Sequence, residues 1–83
     1  MNPERLQFKG MLRDLEAREK SNKATASGLI LLLRNLLNPF EDDCTKLETD
    51  QILINADRLK TIVENQRDTA AKIKRIKDSE EIG

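Results

Sequence analysis

Apolar residues in this chain recur four and three apart over two long stretches. The first reads Phe8, Leu12, Leu15, then Ala26, Leu29, Leu33, Leu36 and Phe40. The second reads Ile52, Ala56, Leu59, Val63, Gln66, Ala70 and Ile73. Alternating steps of four and three keep side chains on one narrow stripe of an α-helix, so each stretch is a heptad seam. The pattern predicts one helix over about 3–37 and a second over about 46–79.

Punctuation along the chain agrees. Asn2 can cap the first helix, Pro3 has the preset φ of a first helical residue, and Glu4 suits the positive end of the helix dipole. No further proline occurs until Pro39, where Asn38-Pro39 stops the helix because a residue before proline is driven out of the α region. The segment 38–45 is the expected turn. Thr45 with Glu48 three residues later reads as a capping box for the second helix, and Thr49-Asp50 offers a competing start. A connection this short sets the helices antiparallel. If it centres near residue 44, facing positions have numbers that sum to about 88. Leu36 then lies near Ile52, Leu29 near Leu59, and Leu15 near Ile73.

The same register brings Asn22 level with Gln66. Two polar residues at one height could form a buried layer that fixes register. The stretch "EKSNKATAS" around Asn22 is small and polar, however, so the simpler expectation is that the seam loosens there and admits water.

The stretch 28–37, "GLILLLRNLL", is the most apolar part of a chain that is 36% charged. On a helical wheel Leu32, Leu36, Leu29, Leu33, Leu37 and Ile30 span an arc of roughly 160°. Arg34 and Asn35 lie on the other side, where Leu31 is the exception. Opposite, Ile52, Leu53 and Ile54 are consecutive and Ile62 flanks Val63. Two helices cannot cover arcs that wide, and a contiguous apolar patch left open marks an interaction surface. The expected fold is therefore all-α. A single domain over 1–83 forms two long antiparallel helices, a helical hairpin or coiled coil that dimerises into a four-helix bundle. The expected oligomer interface is Leu29, Leu32, Leu33, Leu36, Leu37, Ile52, Leu59 and Val63. The expected partner is a second copy or larger homo-assembly, and an unrelated protein would satisfy the same physics.

Composition narrows the chemistry. Among 83 residues there is one cysteine and no histidine, so neither an intrachain disulfide nor a structural zinc site can form. Without histidine the commonest general base and metal ligand is missing. Cys44 reads as an incidental turn cysteine, so no enzymatic activity, cofactor or metal is expected. Glu41, Asp42 and Asp43 do not follow the D-x-D-x-D-G pattern of a calcium loop and read as a solvated helix entry. The opening "MNPERLQFKG" has no apolar core of a secretory signal, and 28–37 is about half of the ~20 residues a spanning helix needs. No membrane association is expected, and a free thiol suits the cytoplasm.

Fifteen basic and fifteen acidic residues cancel over the whole chain. Locally they do not. Lys72, Lys74, Arg75 and Lys77 fall within six residues, and the hairpin brings them beside Arg5, Lys9, Arg13 and Arg18. Residues 38–50 carry five acidic groups against one basic, which predicts an acidic apex and a basic open end. Such a cluster can bind nucleic-acid phosphates, and the alternative function is a nucleic-acid-binding accessory protein that uses this basic open end. Asp14, Glu16 and Glu19 nearby and the lack of stacking aromatics make a solvated helix end the simpler reading.

"MNPERLQFKGMLRDLEARE" followed by "LLRNLLNPFED" resembles small helical proteins encoded in Mu-like prophage regions of bacterial genomes. The resemblance covers the first half of the chain and includes no catalytic motif. It implies an accessory phage protein in the bacterial cytoplasm and carries over no functional residue.

Overall fold

In a computed structural model the chain forms two α-helices, α1 (Pro3–Leu36) and α2 (Thr49–Ile82), joined through one turn of 3-10 helix at Cys44–Lys46. The backbone is described for residues 3–82 and the side chains for 9–79. Asn2, the expected cap of α1, lies outside the described residues, as do the side chains of Glu4, Arg5 and Phe8. The helices pack antiparallel into a rod of 65 × 17 × 17 Å.

The register is the expected one. Leu15 packs against Ile73 and Ile76 with Leu12 beside them, and Asn22 hydrogen-bonds Gln66. Pairs 15/73, 12/76 and 22/66 all have numbers that sum to 88. On α1 the inward positions run Leu12, Leu15, Glu19, Asn22, Ala26, Leu29, Leu33 and Leu36.

On α2 the seam differs from the sequence reading. Asn55 and Thr69 are buried, whereas Ala56 and Ala70 are exposed and Val63 is half-buried on the flank. The inward row is Ile52, Asn55, Leu59, Ile62, Gln66, Thr69, Ile73 and Ile76. Two stripes share 52, 59, 66 and 73. The first completes them with Ala56, Val63 and Ala70, the second with Asn55, Ile62, Thr69 and Ile76. The second carries the larger aliphatic surface, and burying Ile62 and Ile76 outweighs burying two alanines and a valine. Asn55 and Thr69 are carried inward with them.

The apex also departs from expectation. Asn38 and Pro39 open a β-turn in which Glu41 N–H donates to the Asn38 carbonyl at 3.2 Å, and Phe40 N–H donates to Asn38 Oδ1 at 3.1 Å. Phe40, read as the last seam residue, sits in this turn and is 87% exposed. Thr45 does not cap α2. Its hydroxyl and its backbone N–H both donate to Asp43 Oδ1, at 2.6 and 3.0 Å, so Asp43 caps the 3-10 turn instead. The helix then starts at Thr49, the competing site, with Ile52 N–H donating to the Glu48 carbonyl at 3.0 Å. At its other end α2 runs on to Ile82 rather than stopping near 79.

Two stability outcomes follow from the seam and from α1. Leu15→Ala opens a gap in the Leu12–Leu15–Ile73–Ile76 cluster and is expected to cost about 2 kcal/mol, the low end for a buried leucine because this seam is thin. Gly28 lies in the interior of α1, where an added Cβ would meet open space. Gly28→Ala is expected to gain about 1 kcal/mol from helix propensity. Urea titrations followed by circular dichroism measure both, and a stability loss for Gly28→Ala would mean that another chain covers this face.

Candidate interaction site

The hairpin leaves its most apolar segment half covered. Leu33 is buried between the two helices of its own chain, and Leu29, Leu36, Ile52 and Leu59 are half-buried in the same seam. These five expected interface residues are therefore spent first on the hairpin itself. Of the other three, Val63 is half-buried on a flank, and Leu32 and Leu37 are exposed at 43% and 53%. The remaining open surface comes from residues outside the expected interface. Leu53 is 71% exposed, and Ile30, Leu31 and Ile54 are also exposed. Together with Leu32 and Leu37 they wrap the rod just below the apex. An open groove there is lined by Leu31, Leu37, Pro39 and Phe40, with Arg34 and Asn35 at its side. The signal that could have found them is the register itself: once the seam positions are assigned, every large apolar residue off the seam is left exposed by the hairpin.

Midway along the rod lies a closed polar layer, not the loosened, watery seam expected. Asn22, buried, donates from Nδ2 to Gln66 Oε1 at 3.2 Å, and Gln66 Nε2 donates to Glu19 Oε2 at 3.2 Å. Lys23 Nζ lies 3.2 Å from Glu19 Oε1 and completes the chain of contacts at the surface. Hydrogen bonds from Lys23 and then Gln66 hold the Glu19 carboxyl below its ordinary range. Nearer the apex on α2, buried Asn55 turns its amide back to the Gln51 carbonyl at 2.8 Å.

The basic cluster does not form one surface. With Ile73 and Ile76 facing inward, Lys74 and Lys77 fall on one flank of α2 and Lys72 and Arg75 on the other. Lys72 is paired with Asp68 at 3.1 Å. Sequence proximity brought these four together; the helix separates them.

At the apex Asp43 is held below the ordinary carboxylate range by the Thr45 hydroxyl and then the Thr45 N–H. Cys44 is exposed. Among the described residues no group of three or more cysteine and carboxylate side chains is gathered as a metal site, and no helix is long and apolar enough to cross a membrane. Comparison with family models, with curated proteins and with solved structures gave no significant match to this chain.

The polar layer makes a prediction about acid. A carboxyl whose pKa is lowered by folding stabilises the fold fully above its ordinary value, about 4.3, and loses that contribution as pH falls through the lowered value. Glu19→Gln is expected to flatten the loss of stability below about pH 5, measured as urea midpoints against pH. An unchanged acid limb would show that other carboxylates carry it.

Proposed function

We propose that this chain is a non-enzymatic helical self-association module, a scaffold or adaptor whose apical half is completed by a second copy. The observation that carries the reading is the ring of exposed large aliphatics, Ile30, Leu31, Leu32, Leu37, Leu53 and Ile54, around a hairpin in which no large side chain is fully buried among the described residues. A seam one residue wide leaves such a chain short of apolar burial, and a chain this small usually recovers it by oligomerisation when disulfides and metals are lacking. Two-fold pairing of the apical halves into a four-helix bundle is the simplest closed arrangement, since it meets each patch with an identical one. The likeness to Mu-like prophage proteins rests on the quoted sequence alone. It would place the module among accessory phage proteins of the bacterial cytoplasm.

Mass in solution is the deciding measurement, by sedimentation across a wide dilution series with circular dichroism on the same samples. The expected result is a dimer or larger species that loses helicity as it dissociates. Leu37→Glu combined with Leu53→Glu is expected to shift that equilibrium toward monomer by at least about tenfold, the effect of ~1.4 kcal/mol. A wild-type chain that is helical and monomeric at every concentration would overturn the proposal.

A further inference from the structure

Fixing the seam reveals a separation of charge that the sequence cluster at 72–77 conceals. Let a denote Leu12, Glu19, Ala26 and Leu33 on α1, and Ile52, Leu59, Gln66 and Ile73 on α2. The b positions, one residue further along, are then Arg13, Lys20, Ser27 and Arg34 on α1, and Leu53, Lys60, Arg67 and Lys74 on α2. Because the helices are antiparallel, like-lettered edges face the same side, so both b rows lie on one flank. The register sets Arg13 level with Lys74, Lys20 with Arg67, and Ser27 with Lys60. Rungs follow one another every seven residues, roughly 10 Å apart.

All six of these cations are exposed. The ion pairs among the described residues are Lys23–Glu19 and Lys72–Asp68, and neither uses one of the six. The e positions between the rows add Lys9, Lys23 and Lys77, and Glu16 is the sole carboxylate among the described b and e positions. Of the other described carboxylates, Asp57, Glu64 and Asp78 lie on the outer face of α2, and Asp14 and Asp68 on the opposite flank. A molecule with zero net charge thus presents one strongly basic side. Glu16, Asp57, Glu64 and Asp78 lie three or four residues from these cations but form no ion pair with them, so the flank keeps a net positive charge that a polyanion would neutralise.

We propose that this flank binds the phosphate backbone of duplex nucleic acid without regard to sequence. The row from Arg13 to Arg34 covers about 30 Å, close to the ~34 Å of one duplex turn. Between the rungs there is no aromatic ring to stack an unpaired base, and Phe40 beside Arg34 at the apex is a single ring, which disfavours a single strand. Between the three lower rungs lie Ala70 and half-buried Val63, and the large exposed aliphatics of this flank, Ile30, Leu37 and Leu53, are confined to its apical end, so the lower rungs offer nothing to insert into a bilayer. Every residue this inference uses belongs to one hairpin, and the three lower rungs lie clear of the aliphatics through which self-association is proposed.

The test is fluorescence anisotropy with a random-sequence DNA duplex of about 20 base pairs, over a salt series. Six phosphate contacts predict that affinity falls with salt with a logarithmic slope of about −5. Lys20→Glu with Arg67→Glu should weaken binding at least about tenfold, and Lys20→Gln with Arg67→Gln should lie between that pair and the wild type. Arg18→Glu with Arg58→Glu makes the same charge change on the opposite flank and should alter affinity by less than about threefold. Equal losses from the two reversals would overturn the assignment to this flank. Failure of the wild type to bind the duplex at low salt, or binding only to phosphatidylserine vesicles, would overturn the ligand. Circular dichroism and sedimentation of each variant report folding and assembly separately, so a change in mass without a change in affinity bears on self-association alone.

Discussion

The structure depends on a seam one residue deep between two helices of one chain. Each inward side chain meets its partner across the axis and then reaches solvent on either side, so no large residue can be enclosed. Among the described residues the most hidden groups are Thr69 at 2% and Asn55 at 4%, both short and polar, while the best-buried aliphatics retain 8–9% exposure. A helix needs an apolar stripe of about 100° or more to anchor against a globular core. Two helices alone use only the inner part of such a stripe. The wide arc around residues 28–37 is therefore a surplus created by the geometry, and the exposure of Ile30, Leu37 and Leu53 follows directly from it.

A seam this regular has a second weakness, which the polar layer offsets. Leucine and isoleucine rungs repeat every heptad, so sliding one helix by seven residues would exchange aliphatic partners at little cost. Such a slip would set Asn22 against Leu59 or Ile73 and leave its amide without Gln66. An unpartnered buried amide costs roughly 1–3 kcal/mol, comparable to a lost rung. The Glu19–Gln66–Asn22 chain of contacts therefore favours one register over its neighbours, although it adds little apolar burial. Asn55 fixes nothing across the seam, because its amide bonds its own helix.

Most of the fold was legible because heptads, a proline stop and a short connection each dictate geometry locally. Antiparallel register followed from the turn, and α1 was read in full over its described residues. The row on α2 was misread because two stripes share every second position. Alternating apolarity favours Ala56 and Ala70, while packing responds to total aliphatic area and selects Ile62 and Ile76. The start of α2 was legible only as one of two signals, since nothing in "DDCTKLETD" reveals that Asp43 takes both Thr45 donors. The exposed apolar surface was the least legible part. Leu29, Leu33 and Leu36 were the most apolar choices and for that reason went to the hairpin's own seam. The surface left over consists of residues that fit the heptad least well.

Charge repeats the same lesson. A cluster counted along the sequence samples every direction around a helix, so Lys72, Lys74, Arg75 and Lys77 point to two flanks. A row counted every seventh residue samples one direction, so Arg13, Lys20 and Arg34 share a side with Lys60, Arg67 and Lys74 although they span most of the chain. Whole-chain neutrality describes neither arrangement. On this hairpin the apical half is dominated by uncovered aliphatics and the rest of the rod by cations gathered on one flank. Arg34, the topmost row cation, lies among the exposed aliphatics beside Leu31 and Leu37, and the other five lie below them. The exposed aliphatics and most of the row cations therefore occupy different lengths of a rod 17 Å across.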